Sequence, residues 1–300
     1  MASPARSQAT RRWADRGSSR ASSRHGAPGT ASVAAVAFPT AVGYDLPVSA
    51  SSFRTVRTSA IVLRRVRSGE CHKVLTFLTP DRGLLKTMAF GAYKGRSRLG
   101  MASEPFVHSY VCLYHNPVKD TYKAVEMEVR DGFDGIRADL GRFYAASLWA
   151  EVCLKSLAAG ETTSDLFRLL LESLRALEDS PDGTYLSLQF LWRFLGLAGY
   201  QPDLTRCERC GHPLEDAAVE HWSADGRGIS CARCREPGAV AVPAGCRRYL
   251  AASQALSMAE AARIRMEREA CAALQRRLHA AVQGALESSL RTLETTEDPA

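Results

Sequence analysis

Two Cys-x-x-Cys pairs constrain this chain more than any other feature. Cys207 and Cys210 form the first, Cys231 and Cys234 the second, and twenty residues lie between them. Each pair closes a tight turn with both sulfurs directed at a common centre, and two such turns complete a tetrahedron around a metal ion. Four thiolates leave no open coordination position. The spacing therefore predicts one structural Zn2+ and argues against metal catalysis. Redox or disulfide pairing of the same cysteines is the competing reading, and a site that has lost its metal is another. His212 and His221 lie close by and are expected to be bystanders.

The other five cysteines, Cys71, Cys112, Cys153, Cys246 and Cys271, are scattered through mostly apolar stretches. They read as free thiols of a reducing compartment. No apolar run approaches the roughly 18 residues that a membrane span needs, so a soluble chain with no membrane partner is expected. The net charge of +7 is uneven. Residues 1–59 carry eight Arg against two Asp, and residues 60–130 carry twelve Lys and Arg against six acids. The rest is mildly acidic, so a polyanion is expected to be held by the front of the chain.

Residues 1–58 are rich in Ser, Ala, Arg and Gly and lack periodicity. They read as a disordered arm or a start placed too early. An organellar transit peptide is an alternative on composition, and Arg11-Arg12 raises a twin-arginine signal without its apolar core. From Ser59 the texture changes to five short β-type runs, at 59–67, 73–79, 84–90, 106–115 and 121–130, each closed by turn residues. In the fourth, Phe106, His108, Tyr110, Cys112 and Tyr114 form one alternating face, expected to line a barrel. In the fifth, Val125, Met127 and Val129 alternate against Glu126 and Glu128. Five strands in about 70 residues predict a small closed barrel of the OB type over 59–133.

Beyond Asp134 the pattern is helical to the C-terminus, 134–300. Stripes predict helices over 136–158, from Ser164 or Asp165 to the Pro181-Asp182-Gly183 stop, and over 184–198, the last apolar almost all round and therefore central. The cysteine module occupies about 205–238. Pro243 can open another helix, and one long helix is predicted from about 259 to 293. The fold class is thus multidomain α+β: an N-terminal five-stranded barrel and an all-α domain with an inserted four-cysteine zinc module.

The loop 91–98 sets Lys94, Arg96 and Arg98 beside Tyr93, with Gly91 and Gly95 allowing close approach of the backbone. Cations grip phosphates and an aromatic face stacks a base. Arg64, Arg65, Arg67, Lys73 and Lys86 add to the same segment. The loop is one residue short of a phosphate-binding P-loop and has Arg where Lys is required. Neither Gly-x-Ser-x-Gly nor His-Glu-x-x-His occurs, and no catalytic constellation emerges, so no enzyme is expected.

Several ordered segments resemble the RecO family of bacterial recombination-repair mediators. They are Ala60–Leu63 leading to Gly69-Glu70, Thr79-Pro80-Asp81-Arg82-Gly83, Lys94-Gly95-Arg96-Ser97-Arg98-Leu99 with Glu104-Pro105-Phe106, the helical segment from Phe143-Tyr144-Ala145 to Glu151, and Leu195-Gly196-Leu197-Ala198-Gly199-Tyr200-Gln201-Pro202 before Cys207. The resemblance covers about 59–290. It implies an OB-fold and a helical domain bearing a zinc module. It also implies binding of single- and double-stranded DNA, annealing of complementary strands, and cooperation with RecR and single-strand-binding protein to load RecA in the bacterial cytoplasm at the nucleoid. It carries Lys94, Arg96 and Arg98 over as DNA contacts and the four cysteines as zinc ligands. Residues 1–58 and Cys71-His72 depart from the family pattern. The rival reading is a zinc-ribbon transcription or RNA-binding factor, with base readout on the ribbon through Arg227 and Arg233. Acids Glu215, Asp216, Glu220 and Asp225 around Arg227 disfavour it.

Overall fold

The computed structural model describes residues 55–93, 99–156, 161–214, 219–223, 226 and 228–297. The expectations for residues 1–54, for the cations Lys94, Arg96 and Arg98, and for Arg227 lie outside the described residues.

Strands β1 (Thr55–Ser68), β2 (His72–Thr79), β3 (Gly83–Ala89), β4 (His108–Asn116) and β5 (Thr121–Asp131) close a barrel in the order β1-β2-β3-β5-β4. A short helix α1 (Leu99–Ala102) precedes β4. Only β3 and β5 pair in parallel; this is the five-stranded OB arrangement. The interior is filled by Val56, Ala60, Val62, Leu75, Phe77, Val111, Leu113 and Met127.

The barrel departs from the sequence expectation in three places. First, β1 begins at Thr55, not Ser59, and Thr55–Thr58 pair with Tyr114–Val111. Second, the lining of β4 is Ser109, Val111 and Leu113, while Tyr110 on the opposite face is 44% exposed. Pairing of Val111 and Leu113 with Thr58 and Val56 keeps branched aliphatics in the narrow interior, where a tyrosine hydroxyl would want a partner. Third, β5 does not alternate strictly. Register shifts at Cys112/Leu113 and His108/Ser109 leave Met127 buried but Val125 62% exposed.

The helical region comprises α2 (Asp134–Ala138), α3 (Leu140–Lys155), α4 (Glu161–Glu178), α5 (Thr184–Leu197), α6 (Gly245–Ser253), α7 (Met258–Ala261), α8 (Arg268–Leu286) and α9 (Arg291–Glu297). Between α5 and α6 a small sheet, β6 (Val219–Trp222), β7 (Ile229–Ser230) and β8 (Val240–Pro243), runs in the order β7-β6-β8. As its all-round apolarity predicts, α5 is central: Phe190, Leu191 and Trp192 are buried, and Phe190 stacks on Trp149 of α3 at 5.2 Å. Gly199, at φ +75°, ends α5 by letting Tyr200 N–H turn back to Leu195 O at 2.8 Å. The single helix expected over 259–293 is instead three. Tyr185 Oη accepts from Met266 N at 3.0 Å in the first break. In the second, Gln283 accepts from Leu290 N, and Glu151 accepts from Arg291 N and Thr292 N. Side chains from other elements thus satisfy the backbone groups that a continuous helix would have paired.

Barrel and helices share one apolar core. Ile61, Leu63, Leu78 and Phe106 on the outside of the barrel pack with Trp149, Phe167 and Leu170. A polar chain crosses beside them. His108 Nδ1 bonds Asp131 at 2.7 Å, Arg175 of α4 bonds the same carboxylate at 2.9 Å, and Ser59 Oγ lies 2.7 Å from His108 Nε2. Burial holds the His108 ring below its ordinary value despite Asp131. Burial alone would push Asp131 up, but Arg175 and His108 hold it below the usual carboxylate range. A neutral ring with its proton on Nδ1 satisfies both neighbours.

Two outcomes are expected. Removing residues 1–50 should leave the melting temperature unchanged, whereas removing 1–58 should lower it. The longer deletion takes Val56 from the core and Thr58 from its bond to Asp81. Glu151 is the second case. Burial disfavours its charge, but donors from Thr292, Lys155 and Arg291 bring its pKa down from 4.5 to about 2. Its contribution is therefore complete above about pH 4.5 and lost as pH falls toward 2. Glu151→Gln should cost about 1–3 kcal/mol at neutral pH and flatten the stability profile across that acid window, as read by urea unfolding at several pH values.

Candidate metal centre and nucleic-acid interface

The four cysteines of the two pairs converge. Their sulfurs all lie within 4.8 Å of one another, and Cys210 Sγ is 3.8 Å from Cys231 Sγ. That separation is far beyond a disulfide bond of about 2.05 Å. It matches the edge of a tetrahedron with metal–sulfur bonds of about 2.3 Å. Local backbone geometry makes the turns. Gly211 N–H returns to Cys207 O at 2.9 Å and Cys234 N–H to Cys231 O at 3.0 Å. Burial would push Cys207 up, but N–H groups of Cys231, Cys210 and Arg209 aimed at its sulfur bring it down to about 6. Cys234 goes the other way, up to about 12, chiefly through its hydrogen bonds with Cys210 and Cys231. Without a cation the cluster favours a thiolate at Cys207 and opposes one at Cys234. A divalent ion bound by sulfur removes that conflict, so the donor set fits a metal ion. Neither His212 nor His221 belongs to the cluster.

The module is seated on the helical core. Trp222, Ile229 and Val242 are buried in it, and Arg277 Nη2 donates to Ser223 O at 2.6 Å. Glu220 is 2.5 Å from Arg247 in a nearly buried pair. Burial raises the Glu220 pKa against the pull of Arg247.

On the barrel, cross-strand register decides where the cations stand. The pairs Ile61–Leu78 and Leu78–Leu84 form one row on the outer face, and this row packs against the helices. The next row on the same face is Arg64–Thr76–Lys86. A register shift between Val62 and Arg64 keeps Ile61 and Arg64 on one face although they are three residues apart. The outer surface thus changes from apolar under the helices to cationic just beyond them. β1, β2 and β3 contain no Asp or Glu, and Arg64 and Lys86 are exposed.

The remaining cations form a second group at the barrel's end. Lys73 is not a surface cation as the sequence reading expects: it is 2% exposed. Its Nζ lies 2.7 Å from Ser103 Oγ, 3.0 Å from Glu104 Oε1 and 3.3 Å from Gly100 O. A neighbouring acid draws it inward, and it fastens the segment after α1 to β2. Arg65 pairs with Glu104 at 2.6 Å. Arg67 donates to Gly69 O. Tyr93 is 45% exposed, with Lys73 at 4.8 Å and Arg67 at 5.6 Å from its ring centroid.

One contact escapes the sequence reading. Phe90 and Lys123 meet on the outer face, with the ammonium 5.4 Å from the ring centroid. They are far apart in sequence, and only the β3–β5 pairing brings them together. The knuckles themselves carry exposed Arg206, Arg209, Arg233 and Arg235. Arg209 pairs with Glu236 and Arg206 donates to Gly211 O. Four thiolates around one divalent ion would carry a net charge of about −2 beside these arginines.

Comparisons with known proteins follow the same division. The family model described as "Recombination protein O N terminal" matches residues 53–133, and "Recombination protein O C terminal" matches residues 137–294. The chain is 36% identical over 171 residues to the DNA repair protein RecO of Heliobacterium modesticaldum, covering 57% of this chain and 61% of that protein. It is 34% identical over 179 residues to the DNA repair protein RecO of an Anaeromyxobacter species, covering 60% and 70%.

The two groups of cations should respond differently to substitution. Lys73→Ala removes the buried donor to Ser103 Oγ and leaves Glu104 paired with Arg65 alone, and is expected to cost about 1–3 kcal/mol. Arg64→Ala and Lys86→Ala should stay within about 0.5 kcal/mol. Urea unfolding of the three variants separates the cases.

Proposed function

From its membership of the RecO family, to which this chain belongs, we propose that it is a DNA repair and recombination mediator that performs no covalent step. It binds single- and double-stranded DNA, neutralises two strands so that complementary bases meet, and works with RecR and single-strand-binding protein to place RecA on gapped DNA. Its place is the bacterial cytoplasm, at the nucleoid. The described residues contain no helix long and apolar enough to cross a membrane. The observation that carries the reading is the exposed cross-strand row that holds Arg64 and Lys86, on strands whose own residues include no Asp or Glu. Phosphates bound there release counterions, which makes affinity steeply salt-dependent and indifferent to sequence. The loop cations Lys94, Arg96 and Arg98 extend the same grip.

In this reading Cys207, Cys210, Cys231 and Cys234 hold one Zn2+ that closes the module and takes no part in chemistry. The rival placement of the DNA grip on the ribbon is disfavoured by charge. The knuckle arginines sit beside a centre that would be negative with zinc bound, and Arg209 already pairs with Glu236, whereas Glu104 takes Arg65 and Lys73 but no acid among the described residues pairs with Arg64 or Lys86.

Complementary oligonucleotides should anneal in the presence of the chain without ATP. Failure to anneal, or a requirement for nucleotide, rejects the mediator reading. Replacing Lys94, Arg96 and Arg98 together by Ala should lower the slope of log affinity against log salt by about two to three contacts. Unchanged affinity and slope would move the grip away from this loop. Metal analysis should find one zinc per chain. Cys207→Ser should release it and shift the emission of Trp222, which is 1% exposed in the module, while the barrel stays folded.

A further inference from the structure

A single exposed aromatic residue needs no explanation. Phe90 is different because of what surrounds it. It follows the last residue of β3 and is 48% exposed. The outer face leading to it is built in rows. Arg64–Thr76–Lys86 comes first, then Val66–Val74–Met88 with Lys123 beside Met88, then Ser68–His72 with Phe90 alongside. Rows on one face are two residues apart, or about 6.8 Å, so Phe90 lies roughly 14 Å along the strand from Lys86. His72 meets the Phe90 ring edge to face at 5.0 Å, and Gly91 N–H donates to His72 Nδ1 at 3.0 Å, which fixes the imidazole. Lys123 Nζ stands 5.4 Å from the ring centroid.

The face therefore offers cations at one end, an apolar floor with Val66 46% exposed, and at the other end a ring with its own ammonium. A duplex can use only the cations, because its base faces are stacked inside. A single strand presents phosphates and free base faces together, and so uses all of it. We propose that Phe90 is the stacking platform for an unpaired base and that Lys123 takes the adjoining phosphate. This rests on the DNA-binding reading above and adds to it the means of telling single strands from duplex.

Tyr93 is the nearby alternative, and the two rings differ in the freedom of their cations. The Lys73 ammonium is held near Tyr93 by three acceptors and cannot withdraw. Lys123 is exposed, and no acceptor among the described residues holds it. It can swing from the ring to a phosphate as a base arrives. The Phe90 ring can thus be vacated, and the Tyr93 ring stays partly covered.

The test is anisotropy titration of the full chain with an oligothymidylate of about 20 nucleotides and with a duplex of equal length, at two salt concentrations. Phe90→Ala should weaken single-strand binding by roughly 5- to 150-fold. It should leave duplex affinity within about twofold and the salt slope unchanged, since no charge is lost. Phe90→Trp should restore binding, and its added indole emission should be quenched when the oligonucleotide saturates the chain. Full single-strand affinity in Phe90→Ala overturns the proposal. So does equal loss on both ligands, or an indole emission that does not respond. Each of these leaves the DNA-binding reading intact provided the wild-type chain binds with steep salt dependence. A wild-type chain that binds neither ligand overturns that reading, and the proposal with it.

Discussion

Over Ala60–Leu63 strand β1 is buried on both sides, and the rest of the molecule is arranged around that fact. Ala60 and Val62 point into the barrel, while Ile61 and Leu63 enter the helical core. A strand of an isolated barrel would expose its outer face; here that face is dry for part of its length, and removing either partner would expose it. Burial at roughly 25 cal/mol per Å2 of apolar area makes such a junction more than a loose docking of two domains. The chain His108–Asp131–Arg175 runs through the same junction. Its polar atoms are satisfied across the two parts rather than within one, which gives the junction a preferred geometry as well as an attraction.

The junction also decides where a ligand can approach. The helices cover the row Ile61–Leu78–Leu84, and the surface that remains free begins with Arg64, Thr76 and Lys86. Apolar grip and cationic face are consecutive rows of one sheet. In the cysteine module the charges serve a different purpose. Arg209 there pairs with Glu236 and Arg206 donates to Gly211 O, beside four cysteines that could hold a metal ion.

The cysteine cluster is legible in the sequence because metal ligation depends on short-range spacing. Two residues between ligands nearly fix the turn, and only the meeting of the two turns is left to the fold. The five strands and the central helix α5 are legible for a similar reason: local periodicity and turn residues report them directly. Lys73 escapes such a reading because its charge looks like surface in sequence. Ser103 and Glu104, thirty residues on, supply the partners that allow it to be buried. The inner face of β4 escapes it because alternation names two faces without saying which is inside. The pairing with β1 makes that choice.

By itself the sequence determined the element types over most of the chain, the two cysteine turns and the basic sign of the barrel, since each depends on neighbours a few residues apart. Tertiary structure alone decided the breaks around α8. Residues 262–267 contain neither Pro nor Gly, and the helix stops there because Tyr185, over eighty residues upstream along the chain, takes Met266 N–H. It alone placed Arg64 beside the buried row, through a bulge that alternation cannot show. It alone brought Lys123 to Phe90. Each of these rests on a contact between distant segments, and a linear pattern carries no record of which distant atoms will satisfy a backbone group or share a face.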